Sequence, residues 1–445
     1  MFRKILIANR GEIAVRIIRA CKELDIATVA IYSKADSEAL HVKMADQAVC
    51  VGDSPSKDSY LNMHNILSAA ILTKADAIHP GYGFLSENAI FAAACYDCNI
   101  KFIGPSSSVI DTMGNKASAR KLMKTANVPV IPGSDGVINC IKEAIKFANE
   151  HGYPILLKAS AGGGGKGIRL CNNENELKSN YDSAKSEAHL SFSDNSLYVE
   201  KVIQNAKHIE VQVIGDEHGN IVHLGERECS IQINNQKVLE EAPSPVISSQ
   251  LRANVGDIAV MVARACNYTN AGTVEFLMDE NKKFYFMEMN TRIQVEHPIT
   301  EMITGIDIVK EQISIAAGNK LSIKQKDIQF NGHSIECRIN ASTTGNIDHM
   351  FLPAGNLGIR TDSGIYAGCT VPPFYDSMIA KVITHGKDRN EAITKMKRAL
   401  GELFVNGIET NVDLQMQILR NDKFLNGKYN TITLTQLLES QEVVL

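Results

Sequence analysis

No stretch of this sequence is apolar for anything near the ~18–20 residues that cross a bilayer, so a membrane-spanning helix is not expected. A secretory leader is not expected either. Met1-Phe-Arg-Lys-Ile-Leu-Ile-Ala-Asn-Arg offers only four apolar residues in a row before a polar break. Positive charge is not in excess: 46 Lys and Arg stand against 50 Asp and Glu, a net charge of −4. A general nucleic-acid binder carries a basic footprint, so that class is excluded. Tryptophan is absent, which by itself decides nothing. Tandem repeats and low-complexity linkers are also missing, so the parts are expected to pack as one unit.

A disulfide framework is missing as well. Ten cysteines are scattered without regular spacing, and a chain of 445 residues needs no such staples. Cys95 and Cys98 form one C-x-x-C, but "AIFAAACYDCNI" reads as a helix and no second pair of Cys or His lies nearby. Zinc wants four ligands, so these read as structural thiols in a reducing, cytoplasmic setting. What remains is ordinary globular composition, 44% apolar and 22% charged. At ~150 residues per domain, the length suggests about three domains.

The first 110 residues alternate between extended and helical patterns. "KILIANR" (4–10) and "ATVAIYS" (27–33) read as strands, and "GEIAVRIIRACKEL" (11–24) has helical periodicity. Short apolar runs at 75–80 and 100–105 end in Pro or Gly. This α/β alternation predicts a parallel sheet wrapped by helices, with ligands beyond the carboxyl ends of the strands. The loops there are "NRGE", "HPGYGFLSEN" and "GPSS". A helical stretch over 107–127 and a compact insert over 131–203 follow. A larger mixed region then carries the strands "HIEVQVIGD", "IVHLGERECS", "GTVEFLMD" and "KFYFMEMN", and 388–403 reads as an amphipathic helix.

Three segments carry chemistry. "KASAGGGGKG" (158–167) holds four consecutive glycines, whose entropic cost asks for a reason. Close backbone approach to phosphate oxygens is one, and a hinge or tight turn is the other. A Walker A loop is excluded because Gly167, not Ser or Thr, follows Lys166. In "FYFMEMNTRIQVEH" (284–297) alternation puts Glu288 and Asn290 on one strand face. With Glu275 from a neighbouring strand they make a hard oxygen set suited to Mg²⁺. Arg292, Gln294 and Glu296 continue at period two, placing a cation, an amide and a base beside the metal. A polar strand face that merely meets solvent is the alternative. Lys116 in "MGNKASARK" and His208 in "KHIEVQV" read, on their own, as a solvated lysine and an ambiguous histidine.

Read together, "IANRGEIAVRIIRACKELDI", "AIHPGYGFLSEN", "FIGPSSSVIDTMGNK", "LLKASAGGGGKGIR", "HIEVQV", "FYFMEMNTRIQVEHPITEMITGIDIV", "ECRINA" and "VPPFYDSMIAK" resemble biotin carboxylase, the ATP-grasp component of biotin-dependent carboxylases. The resemblance runs from residue 3 to about 436. It implies a Rossmann-like N-terminal domain (1–112), an ATP-grasp lid with the glycine loop (113–203), an ATP-grasp core (204–330) and a mixed α+β C-terminal domain (331–445). It implies carboxylation of biotin by bicarbonate with ATP and Mg²⁺ or Mn²⁺. By resemblance Lys116, Lys158, Gly164, Gly165, Ile168, Glu200, Lys201, Ile203, His208, Gln232 and Leu277 bind ATP. Glu275, Glu288 and Asn290 match the metal ligands. Lys237, Arg292, Gln294, Val295 and Glu296 match the bicarbonate site, with Glu296 as base. Arg338 matches the residue facing the biotin oxygen, and Tyr82 and Gly83 the biotin mouth.

The resemblance further implies a biotin carboxyl carrier protein and carboxyltransferase subunits as partners. Both are expected on separate chains, because "TKMKRAL" (394–400) reads Lys-Met-Lys inside a helix and not the Met-Lys-Met of biotin attachment. Acetyl-CoA carboxylase is the expected assembly, with other acyl-CoA or pyruvate carboxylases as alternatives. The sequence departs from the family in two places. Ile233-Asn234-Asn235 replaces a segment that usually carries two arginines and often a histidine. This motivates a second reading, a weakened nucleotide-binding paralogue. The segment between Pro353 and Gly358 is short where the family builds part of its homodimer contact.

Overall fold

The computed structural model describes residues 1–134, 136–160, 168–192 and 194–439. Its N-terminal part is a five-stranded parallel sheet, ordered Gln47–Gly52, Ala27–Ser33, Lys4–Ile7, Ala77–His79, Lys101–Phe102. The first strand is short and central. Ile5, Leu6 and Ile7 are fully buried because helices cover both faces, which explains its unbroken apolar run. Helix Gly11–Glu23 follows directly and buries Ile13, Ile17 and Ile18.

A three-stranded antiparallel sheet forms the insert, ordered Ile168–Cys171, Ile155–Ala159, Leu197–Lys201. Helices Ile141–His151 and Glu174–Phe192 accompany it, around a core of its own that includes Leu157, Leu177 and Val199. The helical pattern at 107–127 is two helices, Ser107–Gly114 and Lys116–Thr125. Asn115 breaks it: its backbone is extended, and its side-chain oxygen accepts from Ser118 N at 2.9 Å as an N-cap. The break puts Lys116 at the first position of a helix.

The rest of the chain hangs on one eight-stranded antiparallel sheet. Its order is Phe284–Asn290, Asn270–Met278, Lys207–Gly215, Ile221–Ile233, Gln236–Ala242, His333–Asn340, Met378–Gly386, Ile359–Ser363. One side packs on helices such as Ser249–Ala265 and Arg389–Glu402. The 388–403 pattern is therefore a helix that buries Ile393, Met396 and Leu400. All ten cysteines are free. Among the described residues no helix is long and apolar enough to cross a membrane.

Candidate active site

Register builds the site. Glu288 faces Glu275 across one strand pair, Glu275 faces Glu210 across the next, and Glu210 faces Arg227 across a third. Three carboxylates in a row would repel one another across the strands. Cations interleave them. Arg227, fully buried, donates from Nε to Glu210 Oε1 at 2.5 Å and spends its other nitrogens on Gln212, Thr273 and Thr300. Lys237 Nζ lies 2.5 Å from Glu210 Oε2, 2.9 Å from Glu275 Oε1 and 2.7 Å from Glu296 Oε1.

A β-bulge sets which side chains face this row. Glu275 pairs with Glu288 but Phe276 with Phe286, so Met287 is an extra residue. Phe284 and Phe286 point into the core before the bulge, and Met289 does so after it. Glu288 and Asn290 are thereby released to the opposite face. Asn290 Nδ2 donates to Glu275 Oε1 at 2.9 Å.

The period-two run at 292, 294 and 296 is not a strand. The strand ends at Asn290, and 291–296 is a loop leading into helix His297–Thr304, because Pro298 cannot continue a sheet ladder and favours a helix start. The three side chains still converge. Arg292 donates to Asn290 Oδ1 at 3.1 Å and Gln294 Oε1 at 3.0 Å, and Gln294 Nε2 to Glu275 Oε1 at 3.2 Å. Arg338 bridges Glu296 Oε2 at 3.0 Å and Glu240 Oε1 at 2.6 Å. The loops past the parallel strands reach the same place. Glu87 accepts from Arg292 Nε at 2.8 Å, and Tyr82, next to Gly83, bonds Glu12 close enough to Arg338 to feel its charge.

A second group lies beside the first. Lys116 Nζ is 2.9 Å from Glu288, so it is a paired cation and not the solvated lysine that the sequence alone suggests. Lys158 Nζ is 2.5 Å from Glu200 Oε2, and His208 Nε2 is 3.1 Å from Glu275 Oε2. Leu277 sits opposite His208, Gln232 opposite Lys237, and Ile168 opposite Lys158. Lys201 does not join them through its ammonium, which donates to the carbonyls of Gly152 and Tyr153. Ile203 lies two residues beyond the end of strand Leu197–Lys201. Gly164 and Gly165 lie outside the described residues.

Charge and burial decide protonation. Burial opposes the charge on Lys237, but Glu210, Glu275 and Glu296 outweigh it and hold the ammonium well above its usual range. Burial likewise opposes ionised Glu296, yet Lys237, Arg338 and Arg227 hold its carboxyl well below the usual range. Burial pushes Glu240 up to about 7 against the pull of Arg338. Of the two carboxyls that Arg338 bridges, Glu296 is therefore the more readily ionised.

Glu210, Arg227, Glu240, Glu87 and Glu12 are functional neighbours that sequence reasoning missed. For Glu210, Arg227 and Glu240 the signal was charge inside apolar strands, as in "HIEVQV" and "LGERE", where a buried carboxylate needs a partner, whereas Glu12 lies on a helix and Glu87 in a turn. The oxygens of Glu275, Glu288 and Asn290 form a hard donor set that fits Mg²⁺ or Mn²⁺ together with phosphates. Lys116 and Lys237 already show that both carboxylates draw positive charge to that face.

The chain matches three family models: Biotin carboxylase, N-terminal domain over 1–110; Carbamoyl-phosphate synthase L chain, ATP binding domain over 115–324; and Biotin carboxylase C-terminal domain over 336–436. The chain belongs to the biotin carboxylase family. Biotin carboxylase 1 of Bacillus subtilis is 55% identical over 453 residues, covering 100% of both chains. A pyruvate carboxylase subunit of Methanothermobacter thermautotrophicus is 51% identical, over 97% of this chain and 89% of that one. The fold superposes at a TM-score of 0.96 on the biotin carboxylase domain dimer of Hydrogenobacter thermophilus 2-oxoglutarate carboxylase, solved with MgADP, ADP and bicarbonate. That chain is 50% identical, with 99% of this chain and 98% of that one covered. As a biotin carboxylase the protein is an ATP-dependent ligase that uses ATP, Mg²⁺ and biotin.

Proposed function

We propose that this biotin carboxylase is the subunit of acetyl-CoA carboxylase that loads biotin on a separate carrier chain, for fatty-acid synthesis in the cytoplasm. The 55% identity to Biotin carboxylase 1 of Bacillus subtilis, over the whole of both chains, supports the biotin-loading role. A carrier protein, carboxyltransferase subunits and a homodimer are its proposed partners. The domain division at 112, 203 and 330 is proposed with it.

The observation that carries the mechanism is Glu296 clasped between Lys237 and Arg338, beside Arg292 and Gln294. Bicarbonate is a poor electrophile, and attack of its oxygen on the γ-phosphorus of ATP yields carboxyphosphate and ADP. Lys237 and Arg292 neutralise the meeting anions, and Gln294 orients them. Ionised Glu296 accepts the bicarbonate proton. An anion arriving between Lys237 and Arg292 loosens the hold of Lys237 on Glu296 and raises its basicity. Mg²⁺, held by Glu275, Glu288 and Asn290, screens the phosphate charge when bound. Lys116, Lys158 and His208 hold the nucleotide, with Glu200, Lys201, Ile203, Gln232, Leu277 and Ile168 around it. Carboxyphosphate releases CO₂ and phosphate beside biotin. The phosphate takes the ureido proton, and Arg338 stabilises charge on the biotin oxygen near Tyr82.

Purification with the biotinylated carrier, followed by carboxyl-transfer assays, tests the acceptor. Carboxylation of acetyl-CoA is expected. Carboxylation of pyruvate or 2-oxoglutarate instead overturns that assignment.

A further inference from the structure

Lys381 is fully buried in the middle of strand Met378–Gly386, and no step above uses it. Burying an ammonium is costly unless it is paired and hydrogen-bonded. Here it is both. Nζ donates to the carbonyl of Val295 at 2.7 Å and lies 3.2 Å from Glu12 Oε1. One side chain thus ties the C-terminal strands to helix Gly11–Glu23 and to the 291–296 loop. Register sets Lys381 directly opposite both Arg338 and Asp362, on the sheet face that also carries Glu240 and Glu336. Two cations side by side are tolerated there because carboxylates surround them.

The loop itself is held by side chains. The carbonyl of Ile293 accepts from Arg292 at 3.1 Å, that of Gln294 from His297 Nδ1 at 2.8 Å, and that of Val295 from Lys381. Burial and the nearby Lys381 charge keep His297 neutral, so its ring can donate from one nitrogen only. Three successive carbonyls are therefore fixed from three directions. Of the three donors, Lys381 alone comes from outside 291–297. The peptide between Val295 and Glu296 cannot rotate without breaking its bond, and the Gln294 and Glu296 side chains flank that residue.

We infer that Lys381 is a positioning residue for the bicarbonate loop, fixing the Val295 peptide so that Gln294 and Glu296 meet the substrate in one geometry. This rests on the reading of that loop as the bicarbonate site. The test is Lys381→Met in the full chain, which keeps the stem and removes the donor. The Michaelis constant for bicarbonate should rise about tenfold while that for ATP stays within about twofold. Amide hydrogen exchange over 291–297 should quicken about tenfold, with 207–215 unchanged.

Should Lys381→Met fail to fold, the double variant Lys381→Met/Glu336→Gln carries the same test. Glu336 is buried, neither of its oxygens has a hydrogen-bond partner among the described residues, and Lys381 is the main charge favouring its ionised form, so Gln spares the variant a buried carboxyl that has lost its cation. A bicarbonate constant at the wild-type value, equal rises for ATP and bicarbonate, or unchanged loop exchange overturns the inference. A wild-type protein inert toward bicarbonate overturns the functional reading instead, and the exchange experiment still decides the role of Lys381.

Discussion

Lys237 Nζ stands 2.7 Å from Glu296 Oε1, and the same ammonium also holds Glu210 and Glu275. One cation thus links the proposed base to the proposed metal carboxylate. Glu296→Gln keeps the shape and removes the base. Turnover should fall ~10²–10⁴-fold, the usual range for a lost general base, while ATP affinity by calorimetry stays near wild type. Unchanged turnover would remove Glu296 from the reaction.

Glu288 pairs with Lys116 at 2.9 Å and with Glu275 by register. Glu288→Gln should abolish Mg²⁺-dependent ATP cleavage. Nucleotide binding measured without Mg²⁺ should survive, since Lys116 is freed from its partner. Wild-type Mg²⁺ dependence in this variant would contradict the ligand assignment.

Asn234 and Asn235 both have positive φ, 49° and 64°, and form the two-residue turn between Ile233 and Gln236. Asparagine tolerates this geometry better than most residues, so the departure from the family has a local structural reason. Asn235→Ala should cost about 1–2 kcal/mol in urea unfolding. Asn235→Gly should be close to neutral. Equal losses in both would show that the side chain, and not the backbone, matters.

Glu241 is buried, accepts from His333 at 2.6 Å and is gripped by Arg389 at 2.6 and 2.9 Å. Burial raises its pKa, but His333 and Arg389 outweigh that and bring it down to about 2. An unfolded Glu titrates near ~4.3, so the fold favours the ionised form by about 3 kcal/mol. This contribution is complete above about pH 5 and is lost as the pH falls toward 2. Glu241→Gln should flatten the acid limb of unfolding free energy against pH. An unaltered slope would contradict the grip.

Much of this is legible in the residues. Strand 27–33 has the bounds its residues suggest, and Glu288 and Asn290 share a face as alternation predicts, whereas the bulge at Met287 that sets Glu288 opposite Glu275 is not legible. The 291–296 loop reads falsely as a strand because Arg292, Gln294 and Glu296 mimic alternation, although Pro298 just beyond them marks a helix start. The split at Asn115 is hidden by continuous apolar spacing through 107–127. Lys381 cannot be assigned from pattern, since Val295 and Glu12 lie far away in sequence and only the folded chain brings them together.

The most direct measurement is phosphate release from ATP, with and without free biotin and bicarbonate. The account predicts release that requires bicarbonate and rises when biotin is added. It also predicts that Arg292→Ala, which removes the guanidinium beside Asn290 and Gln294, abolishes that release. ATP binding by the wild-type protein with no bicarbonate-dependent cleavage would contradict it.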